Sequence, residues 1–134
     1  MAFDRFVEAQ DAVHDRALAE LRAGEKRTHW MWFVFPQIAG LGHSAMARAY
    51  AIRDADAARA YLAHPVLGPR LRAAVAAILS VPRSASAILG PVDAMKLRSS
   101  MTLFAAVADD PTLFRAVLNR FFAGEDDAET LARL

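Results

Sequence analysis

The chain has 134 residues and a formal net charge of +1, and hydrophobic residues make up 55% of it. This length and composition exclude intrinsic disorder as the default state and fit one hydrophobic core. The absence of cysteine excludes disulfides, thiol nucleophiles, iron–sulfur clusters and cysteine-based zinc sites.

The first segment of the chain already shows helical periodicity. Apolar residues at three- and four-residue steps predict an amphipathic helix over 3–23, with Gly24 as its C-cap and Glu20 among the polar residues that fill the gaps. The apolar run 30–35 fits either a buried strand or a short buried helix. No second strand candidate could pair with it, so we favour a helix capped by Thr28 and ending before Pro36.

The rest of the chain also predicts helices, separated by turns rich in glycine and proline. The stretch 38–43 is predicted to be a loop whose two glycines allow positive φ or close backbone approach. Ser44, Asp54 and Asp93 are predicted N-caps. The helices are expected over 44–53, 54–64, about 69–79, 84–89, 93–107, 112–122, and from 126 or 127 to the end. The expected fold is all-α: one compact domain over 1–134 with seven to nine helices, several of them short.

Side chains able to carry chemistry are concentrated in the segment 25–44, which contains both tryptophans. Indole rings beside cations and a glycine loop would suit a planar or anionic ligand, and the helix start at Ser44 could present N–H groups to a phosphate. The alternative is an aromatic core plug with a solvated basic edge. The candidate ligand-binding residues of this segment are Lys26, Arg27, His29, Trp30, Gln37 and Ser44.

A second segment of interest is 93–104. It holds Lys96, and the other lysine of the chain, Lys26, lies in the first segment. Lys96 and Ser100 share a helix side, so Lys96 could contact an anion or activate a serine, or simply lie at the surface. If a reaction occurs, His29 or Asp93 would be its base. No histidine has a recognisable metal spacing, so neither a metal nor a cofactor is expected.

Several runs of the sequence form a specific combination. They are 26–37 (KRTHWMWFVFPQ), 40–44, 50–52, 61–71, 93–104 and 122–131. Together they resemble the bacterial family catalogued as domain of unknown function number eighteen-ten, over essentially the whole chain. The resemblance implies an all-helical single-domain fold and no assigned activity. The label "calpastatin-like" sometimes given to this family implies no calpain inhibition here, because calpastatin inhibitory segments are disordered and this chain is globular.

The sequence leaves two functions open and does not decide whether the protein is an enzyme. The first is a binding, or catalytic, domain for a small anionic or nucleotide-like metabolite. The alternative is a protein–protein interaction module with an exposed aromatic surface. The near-neutral charge disfavours nucleic acid as a partner. No apolar run is long enough to span a membrane, and early charges argue against a secretory signal, so a cytoplasmic protein is expected. The oligomeric state stays open.

Overall fold

A computed structural model describes residues 3–134 of the chain. The fold is all-α, as predicted, and these residues form nine helices. They are α1 (Asp4–Ala23), α2 (Met31–Val34), α3 (Ala45–Ala49), α4 (Ala55–Ala63), α5 (Leu67–Leu79), α6 (Ala85–Leu89), α7 (Pro91–Val107), α8 (Thr112–Phe122) and α9 (Ala128–Ala132). None of these helices is long and apolar enough to cross a bilayer.

Several helix starts follow local side-chain chemistry. Ser44 and Asp54 cap α3 and α4 as predicted, each accepting a hydrogen bond from the N–H three residues on. The α5 helix begins at Leu67, earlier than expected. His64 Nδ1 explains this start, because it accepts hydrogen bonds from the N–H groups of Val66 and Leu67, at 3.1 and 3.2 Å.

Two predicted N-caps are wrong. The hydroxyl of Thr28 donates to Glu20 instead, and α2 begins at Met31 without a side-chain cap. The α7 helix begins at Pro91, so Asp93 lies inside its first turn and not at its cap. Proline is favoured at a first helical position because its φ is already helical and its missing N–H would have no partner there. Asp93 is therefore free for other contacts.

An isolated parallel β-bridge between Ile38 and Ile52 joins the two ends of the segment that contains α3 and the loop before it. The N–H of Ala39 donates to the carbonyl of Ile52, at 2.8 Å, and the N–H of Ile52 donates to the carbonyl of Gln37, at 2.9 Å. This bridge requires extended backbone at Ile52. It explains why α3 ends at Ala49 and does not continue to Arg53 as predicted.

The long α7 helix runs through the core. Its buried apolar residues include Leu97, Leu103 and Phe104, and it packs against α4, α6, α8 and α9. Tyr61 of α4 meets the ring of Phe104 at 5.5 Å between ring centres. Because α6 and α7 are joined only by Gly90, the start of α7 is held close to α6 and to the segment that follows α1.

Helices α4 and α5 approach each other closely at Gly68. A Cβ atom placed on Gly68 would lie 2.2 Å from the carbonyl oxygen of Leu62. Carbon and oxygen atoms cannot approach so closely, so the α4–α5 junction requires a residue without a side chain at this position.

Candidate functional site

The two segments singled out in the sequence meet at the first turn of α7. The N–H of Lys26 donates to the carbonyl of Ile88 at 2.8 Å, which fixes the segment after α1 against α6. Lys26 Nζ then lies 3.1 Å from Asp93 Oδ2, and Lys96 Nζ lies 3.3 Å from Asp93 Oδ1. The only two lysines of the chain thus share one carboxylate.

Each lysine also contacts one of the two indole rings. Lys26 Nζ lies 5.2 Å from the ring centre of Trp30, and Lys96 Nζ lies 5.2 Å from that of Trp32. At such distances a cation is attracted by the ring, and the attraction grows as water is excluded. The side chain of Lys26 is only 10% exposed, whereas that of Lys96 is 26% exposed. Lys96 is therefore the more accessible cation of the pair.

Glu20 fixes Trp30 through the only polar atom of the indole ring, Nε1. The indole Nε1 donates to Glu20 Oε1 at 3.0 Å, and the same carboxylate accepts from the N–H groups of Arg27 and Thr28 and from the hydroxyl of Thr28. Burial opposes ionisation of Glu20, but the hydrogen bonds from Thr28, Arg27 and Trp30 outweigh it and lower the pKa from its usual 4.5 to about 2. The predicted placement of Glu20 among outer polar residues was wrong, because its carboxylate organises the turn that leads into α2.

A cavity of about 150 Å³ lies beside Trp32. Its wall is formed by α2, by the glycine loop (residues 38–43) and by α3 with the residues that follow it. The lining residues are Trp32, Gln37, Ile38, Ala39, Gly40, Gly42, Ala47, Arg48, Tyr50 and Ala51. Neither the guanidinium of Arg48 nor the amide of Gln37 has a hydrogen bond or ion pair to the rest of the described chain. One cation and one amide of this cavity are therefore available to a ligand.

The loop 38–43 contacts Arg133, the residue that follows α9. Gly40 has φ +98°, and a Cβ placed on it would lie 2.8 Å from Arg133 Nε. A side chain at this position would be strained and would also displace Arg133. The guanidinium of Arg133 is held by Glu129 at 2.8 Å. The end of the chain thus covers one side of the loop that lines the cavity.

The predicted ligand-binding residues do not all share this site. Gln37 alone of them lines the cavity. Lys96 contacts the Trp32 ring of its wall, whereas Lys26 is connected to Lys96 only through their shared partner Asp93. Trp30 is fully buried. Ser44 is exposed, and its hydroxyl is used to cap α3, which has only five residues.

Two of the remaining candidates are exposed and one is buried. Arg27 is exposed and pairs with Glu25. His29, a predicted base, is exposed, and within residues 3–134 its imidazole makes no hydrogen bond. Ser100 is fully buried, and its hydroxyl has no hydrogen-bond partner among residues 3–134, so no hydrogen bond joins it to Lys96 as a Ser–Lys pair would require. Among the described residues no group of His, Asp and Glu could hold a metal ion.

Sequence reasoning missed Arg48 and Tyr50, which line the cavity. Both lie in or next to a helix with no buried residue, where periodicity carries little information. Their place in the site depends on the bridge between Ile38 and Ile52, which joins residues too far apart in the sequence for a local pattern to predict.

We expect the Asp93→Asn substitution to lower the free energy of unfolding by about 1.5 kcal/mol, because it leaves the little-exposed ammonium of Lys26 without a counter-ion. Chemical denaturation of the purified variant measures this loss. Asp56→Asn is the matched control, because Asp56 forms an exposed i,i+3 pair with Arg59 that should contribute less than about 0.5 kcal/mol.

A second variant isolates the mechanism of that loss. Adding Lys26→Met to Asp93→Asn removes the unpaired charge and keeps an unbranched chain beside Trp30. We expect the double variant to recover at least half of the lost stability. A double variant no more stable than Asp93→Asn alone would show that the ion pair is not the cause.

Comparison with known proteins places these features in a family. The DUF1810 family, described as "Protein of unknown function (DUF1810)", matches residues 1–134. A search of curated proteins gave no significant match. The fold is similar to the crystal structure of the conserved hypothetical protein Rv1873 from Mycobacterium tuberculosis, with a TM-score of 0.97 and 48% identity over 98% of this chain and 95% of that one. With a family match over its whole length and a near-identical fold in a relative, the chain belongs to the DUF1810 family.

Proposed function

We propose that this protein binds a small metabolite through an anionic group, carboxylate or phosphate, in the cavity beside Trp32. The observation that carries the proposal is the free guanidinium of Arg48 in a cavity that also offers the unpartnered amide of Gln37. A planar guanidinium suits both anions because it can donate two parallel hydrogen bonds. Lys96, on the Trp32 ring, adds a second cation near the same wall.

The size of the cavity limits what it holds. A volume of about 150 Å³ equals that of about five water molecules, whereas cavities that enclose a whole drug-sized ligand measure about 300–1,000 Å³. The anionic group itself fits inside. The remainder of a larger ligand, such as the base of a nucleotide, would lie outside along the exposed surface of α3.

Binding rather than catalysis is what the geometry supports. A general base needs a lone pair within reach of the substrate. Both oxygens of Asp93 already face ammonium groups, and neither Asp93 nor His29 lines the cavity. The aromatic run offers no broad docking surface either, because Trp30, Phe33 and Phe35 are buried and only Trp32 is partly accessible.

The test is a thermal-shift titration with inorganic phosphate, pyrophosphate, citrate and sugar phosphates. A ligand at ten times its Kd should add about 1.4 kcal/mol of stability, and hence raise the Tm by about 5 °C in a domain of this size. We expect Arg48→Gln to weaken binding by about tenfold, because a charged hydrogen-bond donor is lost.

Arg53→Gln is the matched control, since Arg53 is 86% exposed, lies close in sequence and does not line the cavity. We expect its affinity to equal that of the unmodified protein. The proposal fails if none of the anions raises the Tm at millimolar concentration, or if Arg48→Gln and Arg53→Gln bind alike.

A further inference from the structure

A second and larger groove lies on another part of the molecule, between α4, α5 and the α7–α8 turn. Its volume is about 780 Å³, within the usual range for ligand sites. Its apolar lining includes Leu62, Val107, Leu113 and Phe114. None of its residues lines the cavity beside Trp32, so the two sites are separate.

Charged groups of opposite sign line this groove. Arg59 and Arg72 come from α4 and α5, whereas Asp109 and Asp110 come from the turn between α7 and α8. Arg59 is already paired with Asp56 at 2.8 Å. Asp110 is engaged as well, because its Oδ1 accepts hydrogen bonds from the N–H and the hydroxyl of Thr112, which lower its pKa.

Arg72 and Asp109 remain available. The guanidinium of Arg72 has only one long hydrogen bond, 3.4 Å to the carbonyl of Leu62, and the carboxylate of Asp109 has no partner within the described residues. They line the same groove, yet their charged atoms are more than 4.0 Å apart, since they form no ion pair. A cation and an anion thus face one apolar groove without neutralising each other.

We propose that this groove binds a short hydrophobic peptide with free termini. The carboxyl terminus would pair with Arg72, the ammonium terminus with Asp109, and the apolar side chains would cover the partly exposed Leu62 and Leu113. A dipeptide or tripeptide spans at most about 7 to 11 Å, so its two termini can reach two charges that line one groove and lie more than 4.0 Å apart. Burial of apolar surface against the lining contributes affinity. The two charges make binding depend on a free carboxyl terminus and a free ammonium terminus.

The test measures binding of leucine, Leu-Leu, Leu-Leu-Leu and N-acetyl-Leu-Leu amide by chemical-shift changes in the 107–116 amides of the ¹⁵N-labelled protein. We expect Leu-Leu or Leu-Leu-Leu to bind at least about tenfold more tightly than the capped peptide, because charged hydrogen bonds at both ends are lost on capping. Arg72→Gln and Asp109→Asn should each weaken binding by about tenfold for the same reason.

Arg22→Gln and Asp15→Asn, both exposed on α1, are matched controls that should leave the affinity unchanged. The inference is overturned if no peptide shifts these amides at millimolar concentration, if the capped peptide binds as tightly, or if free leucine binds as tightly as the peptides. Because Arg48 and Trp32 lie outside the groove, Arg48→Gln should still bind the peptide, and the two proposals can fail separately.

Discussion

Replacing Glu20 by glutamine should lower the free energy of unfolding by about 3 kcal/mol at neutral pH. The carboxylate accepts four hydrogen bonds, from two N–H groups, one hydroxyl and one indole. An amide offers one acceptor oxygen in place of two and turns its NH₂ group toward buried donors. Chemical denaturation measures the loss, and Glu8→Gln, exposed on the same helix, is the control.

The pH dependence follows from the depressed pKa of Glu20. The pKa is about 2 in the folded protein and 4.5 when the group is unperturbed, so the unfolded chain binds the proton first as the pH falls. The stabilisation by the ionised carboxylate is complete above about pH 4.5 and is lost between there and pH 2. The difference in stability between the unmodified protein and Glu20→Gln should therefore shrink over this window. A difference that stays constant from pH 7 to pH 3 would contradict the assigned role.

Replacing Gly68 by alanine should destabilise the protein by about 2 kcal/mol, although alanine is the better helix former. In an exposed helix this change would stabilise by about 1 kcal/mol. Here the new methyl carbon would lie 2.2 Å from the carbonyl oxygen of Leu62, and a backbone atom cannot rotate away as a side chain can. The α4 and α5 helices must then separate. Thermal unfolding followed by circular dichroism measures the effect.

Ala76→Gly, at an exposed position of the same α5 helix, is the control for helix propensity. It should cost about 1 kcal/mol. If Gly68→Ala raises the Tm while Ala76→Gly lowers it, propensity alone governs both positions and the close approach of α4 and α5 is wrong.

The sequence predicted those parts of the fold that depend on neighbouring residues. The caps at Ser44 and Asp54 and the helical class follow from local hydrogen bonding and periodicity. The predicted cap of α7, Asp93, lies three residues after the observed cap, Gly90; aspartate is a frequent cap, but Pro91 is favoured at a first helical position and sets the start.

The candidate site was less accessible to sequence reasoning. Lys96 and Asp93 are only three residues apart, but Lys26 and Asp93 are 67 residues apart, a distance that no periodicity reaches. Glu20 could have been found, since it lies seven residues after Val13 and three after Ala17, on the apolar stripe of α1. A carboxylate on such a stripe needs several donors, and Thr28 and Trp30 supply them.

The bridge between Ile38 and Ile52 has a consequence for the movements of the protein. It joins the two ends of the segment 38–52, whose helix α3 has no buried residue. Trp32, which also lines the cavity, belongs to a helix packed in the core. Segments with so little buried apolar surface open locally at small free-energy cost. We therefore expect α3 and Arg48 to open locally while the core stays intact, so that the rate at which the proposed ligand enters the cavity depends on a different part of the chain from the one that sets the global stability.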